Sequence, residues 1–399
     1  MTSSYSTDIV IFGGGIAGLW LLNRLRSEGH QAILLETKKL GGGQTLASQG
    51  IIHGGLKYAL AGTLTGAANV ISAMPARWRQ CLAGEADVDL RGCRVLSEHY
   101  YMWSDSGFRS KLKTFLGSKS LSGRVGAVEK DAYPAFFKAA SVKGTLYKLP
   151  DFVIDTESLL QVLVKKHQQY IFNIPSDSYS FTRDSSDKLQ AVSLQDGESA
   201  VCIHAQRFIF SAGEGNQELI DKAQLKKPKA QTRPLNMVYV KGKQLPAVYV
   251  HCIGDSFSLT PKLTVTSHTS SDGSTVWYLG GEVAESGVGK DEVAQIQEAK
   301  SLLDNVFPWA DLQNTQWHCF NVNRAEANIN NDYRPEDAYF TEENNALVAW
   351  PTKLTLTPNL ADKISDYLKA LNLVTVGAEA SAGLNDNLKL AEAATTRWD

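Results

Sequence analysis

Residues 8–18 read Asp8-Ile9-Val10-Ile11-Phe12-Gly13-Gly14-Gly15-Ile16-Ala17-Gly18. An apolar strand leads in, and the helix-forming run Leu19–Arg26 leads out. Gly13, Gly15 and Gly18 fill the three glycine positions of a dinucleotide-binding turn. The first permits a sharp turn, the second lets a pyrophosphate approach the backbone, and the third lets helix and strand pack closely. The phosphates would then face the positive N-terminus of the helix, at Ile16 and Ala17. A second strand, Ala32-Ile33-Leu34-Leu35, ends at Glu36, whose carboxylate can accept hydrogen bonds from an adenosine ribose. Strand, glycine turn, helix, strand and terminal acid in register predict an adenine dinucleotide site.

The chain has 399 residues, 43% hydrophobic and 21% charged, a length that suggests two or three domains of an ordinary globular protein. A net charge of −2 gives no reason to expect nucleic acid as a partner. The five cysteines (Cys81, Cys93, Cys202, Cys252, Cys319) are scattered and never spaced as Cys-x-x-Cys. That spacing argues against a disulfide framework or a metal site and fits a reducing cytoplasm. The first seven residues lack the basic and apolar regions of a signal peptide. No apolar run approaches the roughly 18 residues of a spanning helix. Peripheral contact with a membrane is left open.

The segments alternate between two characters. A helical stretch is expected over about 65–82, kinked or divided at Pro75, and Pro150-Asp151 marks a join. Asp155-Thr156-Glu157 offers capping groups for a helix with apolar face Leu159, Leu160, Leu163. Two hairpins are predicted, one around Asp196-Gly197 and one around Ser271-Asp272-Gly273. Arg207–Phe210 reads as a strand ending in the turn Ser211-Ala212-Gly213, and Ala346–Trp350 as a strand before a helix from about Asn359. The predicted class is α/β: a Rossmann-like dinucleotide domain with an inserted β-rich (α+β) substrate domain. The first is assigned to 1–82, 151–230 and 340–399, the second to 83–150 and 231–339.

The stretch beyond Glu36 chooses the dinucleotide. Gly41–Tyr58 is small, polar and glycine-dense, a backbone able to lie flat against a large cofactor, whereas an NAD unit would enter another βα repeat. Here the chain resembles the flavoprotein family of D-amino-acid oxidase, FAD-dependent glycerol-3-phosphate dehydrogenase and L-2-hydroxyglutarate dehydrogenase. His53-Gly54-Gly55-Leu56-Lys57-Tyr58 is similar to the His-Gly-Gly-Leu-Arg-Tyr run of the glycerol-3-phosphate enzymes. Ser48-Gln49-Gly50-Ile51-Ile52-His53 is similar to the Asn-Ser-Gly-Val-Ile-His run of the hydroxyglutarate enzymes. Lys353-Leu354-Thr355 matches the turn before the family's last helix, and Phe208–Gly213 its strand and small-residue turn. Two departures stand out: Leu22, where the family usually has Ala or Gly, and Pro351-Thr352, where two glycines usually precede the lysine.

The resemblance implies non-covalent FAD held by Gly13, Gly15, Ile16, Ala17, Gly18, Glu36, Thr45, Ser48, Gln49, Gly50, Gly213, Lys353, Leu354 and Thr355. It also implies hydride transfer from a CH–OH or CH–NH bond of a small carboxylated substrate, a hydroxy acid or amino acid, to flavin N5. The electron acceptor is unknown. His53 is the candidate base, or else a group that only orients the flavin. Lys57 and Tyr58 are candidates for an anionic substrate group. Arg324 or Arg334, with Arg324 slightly favoured, is the candidate fork for a carboxylate. Backbone N–H groups of the 353–357 turn, with Pro358 at a helix start, suit charge at the flavin carbonyl edge. Arg109–Arg124 carries five basic residues and no acid, and is read as a solvated loop or lid. The alternative of another class is a flavin-binding structural or sensing module without turnover.

Overall fold

In the computed structural model, residues 2–55, 66–105, 125–196, 199–253, 261–329, 335–377 and 383–399 are described. Strand β1 (Thr2–Phe12) enters the glycine turn, helix α1 (Ile16–Ser27) leaves it, and β2 (Ala32–Glu36) returns parallel to β1. Ile9, Val10, Ile11 and Phe12 are almost wholly buried. A continuous apolar run is what a parallel strand covered on both faces requires. Nine residues of α1 are buried, including Leu22, so the leucine packs in the core without displacing the helix from its place after the turn.

Beyond β1 lies Ser199–Phe210, parallel to it over ten paired positions from Thr2↔Ala200 to Phe12↔Phe210. The far edge of this long strand carries Leu189–Asp196, antiparallel, and then Ala346–Trp350, parallel. Ile171–Asn173 extends the sheet beyond β2. Both predicted hairpins form. Leu189–Asp196 pairs Ser199–Phe210, with tip residues 197–198 outside the described residues, and Leu263–Thr269 pairs Thr275–Gly280.

The second sheet has eight strands, in the order Gln316–Asn328, Lys229–Gly242, Thr275–Gly280, Leu263–Thr269, Val250–Ile253, Tyr100–Asp105, Gly144–Leu149 and Gly126–Ala127. All neighbours are antiparallel except Val250–Ile253 beside Tyr100–Asp105. A small third sheet joins Ile51–Ile52, Phe152–Ile154 and Val95–Ser97. The ribbon of Lys229–Gly242 and Gln316–Asn328 belongs to both cores. Ala230, Ala325 and Ala327 pack with Phe208 and Leu219 against the first sheet, while Val238, Val240 and Trp317 pack in the second.

Two local expectations shift. The helix Gly66–Ala83 is not divided at Pro75 and continues through it as one element. Residues 84–97, expected with the second domain, fold back on the first, because Leu90 N donates to Cys81 O and carries Val88 and Leu90 into the core around α1. No helix among the described residues is long and apolar enough to cross a membrane.

Candidate active site

The glycine turn is shaped by backbone contacts that exclude side chains. Gly13 has φ +102°, and a Cβ there would sit 2.4 Å from Ala212 Cα. A Cβ on Gly18 would lie 2.0 Å from Gly13 O. Gly14 N–H donates to Glu36 Oε2 at 2.6 Å, and Lys38 N–H donates to Oε1 at 2.8 Å, so the acid stands at the mouth of the turn. Gly15 caps α1 without a side chain. The hydroxyl of buried Thr45 accepts from Ile16 N–H at 2.9 Å, an N-terminal donor that the helix itself leaves unsatisfied. Ala212 N–H donates to the fully buried Asn216, Trp350 Nε1 donates to Gly213 O, and Gly213 takes φ +61°. A cradle closed to Cβ atoms, a helix N-terminus and an acid at the end of β2 fit the diphosphate and ribose of an adenine dinucleotide.

From Gly41 the chain leaves this end and crosses to the second sheet. Gln49, expected at the cofactor, directs its amide elsewhere: Nε2 donates to Tyr278 O at 2.8 Å, and Tyr278 Oη donates to Ala47 O at 2.8 Å. The side chain of Gln49 therefore ties the loop to the second sheet. Ser48 Oγ accepts from Gly50 N–H at 3.1 Å. Gly50 has φ +71°, and a Cβ there would lie 2.1 Å from Ile154 O, whose own N–H donates to Gly50 O.

His53 comes next, half-buried, and meets the other end of the chain. Thr355 Oγ1 donates to His53 O at 3.2 Å across 302 residues. The buried Trp78 Nε1 donates to Thr355 O at 3.0 Å. Lys353-Leu354-Thr355 thus lies beside the His53 segment. Leu354–Leu356 forms a 3₁₀ turn that runs directly into helix Thr357–Ala370, with Pro358 in its first turn. Lys353 Nζ donates to Glu336 O at 3.0 Å. Thr352 takes φ +59°, a backbone form that glycine adopts without strain, so the loop keeps a glycine-like path despite the substitution.

Arg324 lies beside an acidic group. Its Nη1 lies 3.3 Å from Glu285 Oε1, on a short helix of the second domain, and the adjoining Ala325 N–H donates to Gln44 Oε1 at 2.9 Å. An anionic group already faces the guanidinium. Lys57, Tyr58, Arg334 and the basic stretch 109–124 lie outside the described residues. His251 and Cys252 point to opposite faces as their spacing predicts: Cys252 is buried in the second core, and His251 Nδ1 is 2.9 Å from Thr264 Oγ1. Among the described residues no three His, Cys, Asp or Glu side chains gather as a metal site.

Sequence reasoning missed four contributors: Gln44, Trp78, Tyr278 and Asp151. Asp151 was read only as a join, yet it is 3% exposed and accepts from Gly54 N–H at 2.9 Å. Burial pushes its carboxyl up to about 6, against the opposing pull of that N–H. None of the four carried a motif, since each acts through a partner distant in sequence.

Comparison with known proteins agrees with this geometry. The profile of the family described as FAD dependent oxidoreductase matches residues 8–333. A probable FAD-dependent oxidoreductase of Pseudomonas aeruginosa is 42% identical over 377 residues, 92% of each chain. The crystal structure of a P. aeruginosa FAD dependent oxidoreductase superposes with TM-score 0.84 at 37% identity, covering 100% of this chain and 99% of that one. The FAD-bound L-α-glycerophosphate oxidase of Mycoplasma pneumoniae shares the fold at TM-score 0.64 and 13% identity, over 94% of this chain and 97% of that one. Glycine oxidase of Geobacillus kaustophilus does so at 0.63 and 15%, over 94% and 96%. With the glycine turn, the acid of β2 and the His53 loop in place, this chain belongs to the FAD dependent oxidoreductase family and is an FAD-dependent enzyme.

Proposed function

We propose that this enzyme oxidises a CH–OH or CH–NH bond of a small carboxylated molecule, a hydroxy acid or an amino acid, with FAD held non-covalently. The observation that supports the reading is the hydrogen bond from Thr355 Oγ1 to the main-chain carbonyl of His53, which joins the segment of the candidate base to the turn proposed for the flavin's carbonyl edge. FAD, when bound, supplies the hydride acceptor at N5. The residues of this chain do the remainder. The 13–18 turn, Thr45 and Glu36 would hold the diphosphate and ribose, and Ser48, Gly50 and the 353–355 turn would hold the flavin. His53 Nδ1 or Nε2 takes the hydroxyl or ammonium proton as hydride leaves carbon. Arg324 or Arg334 binds the substrate carboxylate; Glu285 stands beside one edge of the Arg324 fork, whose other N–H groups suit a second carboxylate.

The reading is tested by the anaerobic visible spectrum of the FAD-loaded protein with 2-hydroxy acids, amino acids and glycerol 3-phosphate. Bleaching by one compound establishes turnover and its class. Flavin bands that no member of these classes bleaches, while dithionite does, favour the binding-module alternative.

A further inference from the structure

We propose that Asp151 is a positioning residue for His53: with Thr355 it clamps the single peptide unit His53–Gly54 and directs the imidazole. The inference rests on the reading of His53 as the base. A peptide unit is a rigid plane whose C=O and N–H point in opposite directions. Here both are held. The carbonyl of His53 accepts from Thr355 Oγ1 at 3.2 Å, and the N–H of Gly54 donates to Asp151 Oδ1 at 2.9 Å. Thr355 is 0% exposed and Asp151 3%. Two anchors at opposite edges fix the tilt of the plane and so restrict, from its C-terminal side, the backbone that carries the His53 side chain.

The anchors belong to different parts of the fold. Thr355 lies in the turn after Ala346–Trp350, a strand of the first sheet. Asp151 links Gly144–Leu149 of the second sheet to Phe152–Ile154, which pairs with Ile51–Ile52 just before His53. Each sheet therefore contributes one side of the clamp.

The choice of a carboxylate is itself informative. An asparagine would satisfy Gly54 N–H without placing a charge in the interior, which is costly. Around Asp151 stand the Gly54 N–H, one peptide unit from His53, and the buried phenol of Tyr100, whose ionisation the Asp151 charge opposes. Arg79, from helix Gly66–Ala83, lies over the Phe152 ring and is paired with Glu98. Burial and the Gly54 N–H are the influences on the titration of Asp151 itself. The charge lies one peptide unit from a histidine that becomes positive when it accepts a proton, and at that position it would raise the proton affinity of the imidazole.

The test uses FAD-loaded protein with histidine ¹⁵N labelling, the His53 signal being assigned by its loss in His53→Asn. Asp151→Asn is expected to lower the His53 titration midpoint by about one pH unit while leaving Gly54 amide exchange slow. Asp151→Ala is expected to speed Gly54 exchange at least about tenfold, with or without FAD. Should the alanine variant not fold, the asparagine variant alone decides. An unchanged His53 midpoint in Asp151→Asn, or unchanged Gly54 exchange in Asp151→Ala, overturns the assignment. These readouts need no turnover, so their failure is distinct from that of the base reading. A parental flavin-reduction rate in His53→Asn would sink the latter alone.

Discussion

The two ends of the cofactor site are built on different scales. At the adenosine end the decisive contacts are short in sequence, Gly14 to Glu36 across 22 residues and Ile16 to Thr45 across 29. At the flavin end they are long: Gly54 to Asp151 across 97, Gln49 to Tyr278 across 229, Trp78 to Thr355 across 277 and Thr355 to His53 across 302. The βαβ unit and the loop just after it form the first, with Ala212 closing on Gly13 from the next strand. Only the assembled sheets can form the second, so the contacts of the glycine turn are mostly local and those around His53 are global.

The sharpest break of that contrast is His53→Asn. Flavin reduction by whichever substrate bleaches the parent should slow by about 10²–10⁴-fold, while the FAD Kd moves less than about threefold. Rapid-mixing kinetics and fluorescence titration check both numbers, and a parental reduction rate would remove His53 from the base role. Gly18→Ala attacks the other end. Its Cβ would meet Gly13 O at 2.0 Å, so FAD should be lost on gel filtration and stability should fall by about 3 kcal/mol. Retention of stoichiometric FAD would show that the turn relaxes more easily than its contacts indicate.

A third experiment compares two buried groups in pH. Asp151 titrates near 6 in the folded chain, above the ordinary carboxyl, so its ionisation costs stability as pH rises from about 4 to about 6. His268, buried beside Trp398, is held down to about 4, so its contribution is lost as pH falls from about 6.5 to about 4. The two slopes oppose each other, each worth about 3 kcal/mol in full. Asp151→Asn should therefore gain on the parent as pH rises from 4 to 6 and hold that gain above, read by urea unfolding. His268→Gln should gain on the parent as pH falls below 6.5. A constant difference across pH in either variant would contradict its assignment.

The smallest effect sharpens the contrast most directly. Thr45→Val removes the acceptor of Ile16 N–H, and Thr355→Val removes the donor to His53 O. Each should cost about 1.4 kcal/mol, a factor of about ten. For Thr45 it should appear in FAD affinity, and for Thr355 in the reduction rate of bound FAD. Equal effects on both quantities in both variants would dissolve the distinction between the ends.

Much of the fold was legible in particular residues. Ile9–Phe12, the glycines and Glu36 announced the opening unit, and the turns at Asp196-Gly197 and Ser271-Asp272-Gly273 announced two hairpins. Residues 84–97 were misplaced because their return to the first core depends on Leu90 meeting Cys81, a contact without a local pattern. That Glu285 stands beside Arg324 was equally without a local signal.

By itself the sequence determined the dinucleotide turn, the acid that closes it and the family resemblance of the His53 and Lys353 segments. Those features rest on glycine conformations and on groups a few tens of residues apart, which spacing encodes. The tertiary structure alone decided that Gln49 holds the second sheet, that Trp78 and Thr355 stand behind His53, and that Asp151 is buried against Gly54. Such pairings join residues roughly 100–300 positions apart, and their register is set by how the sheets and cores pack rather than by any local periodicity.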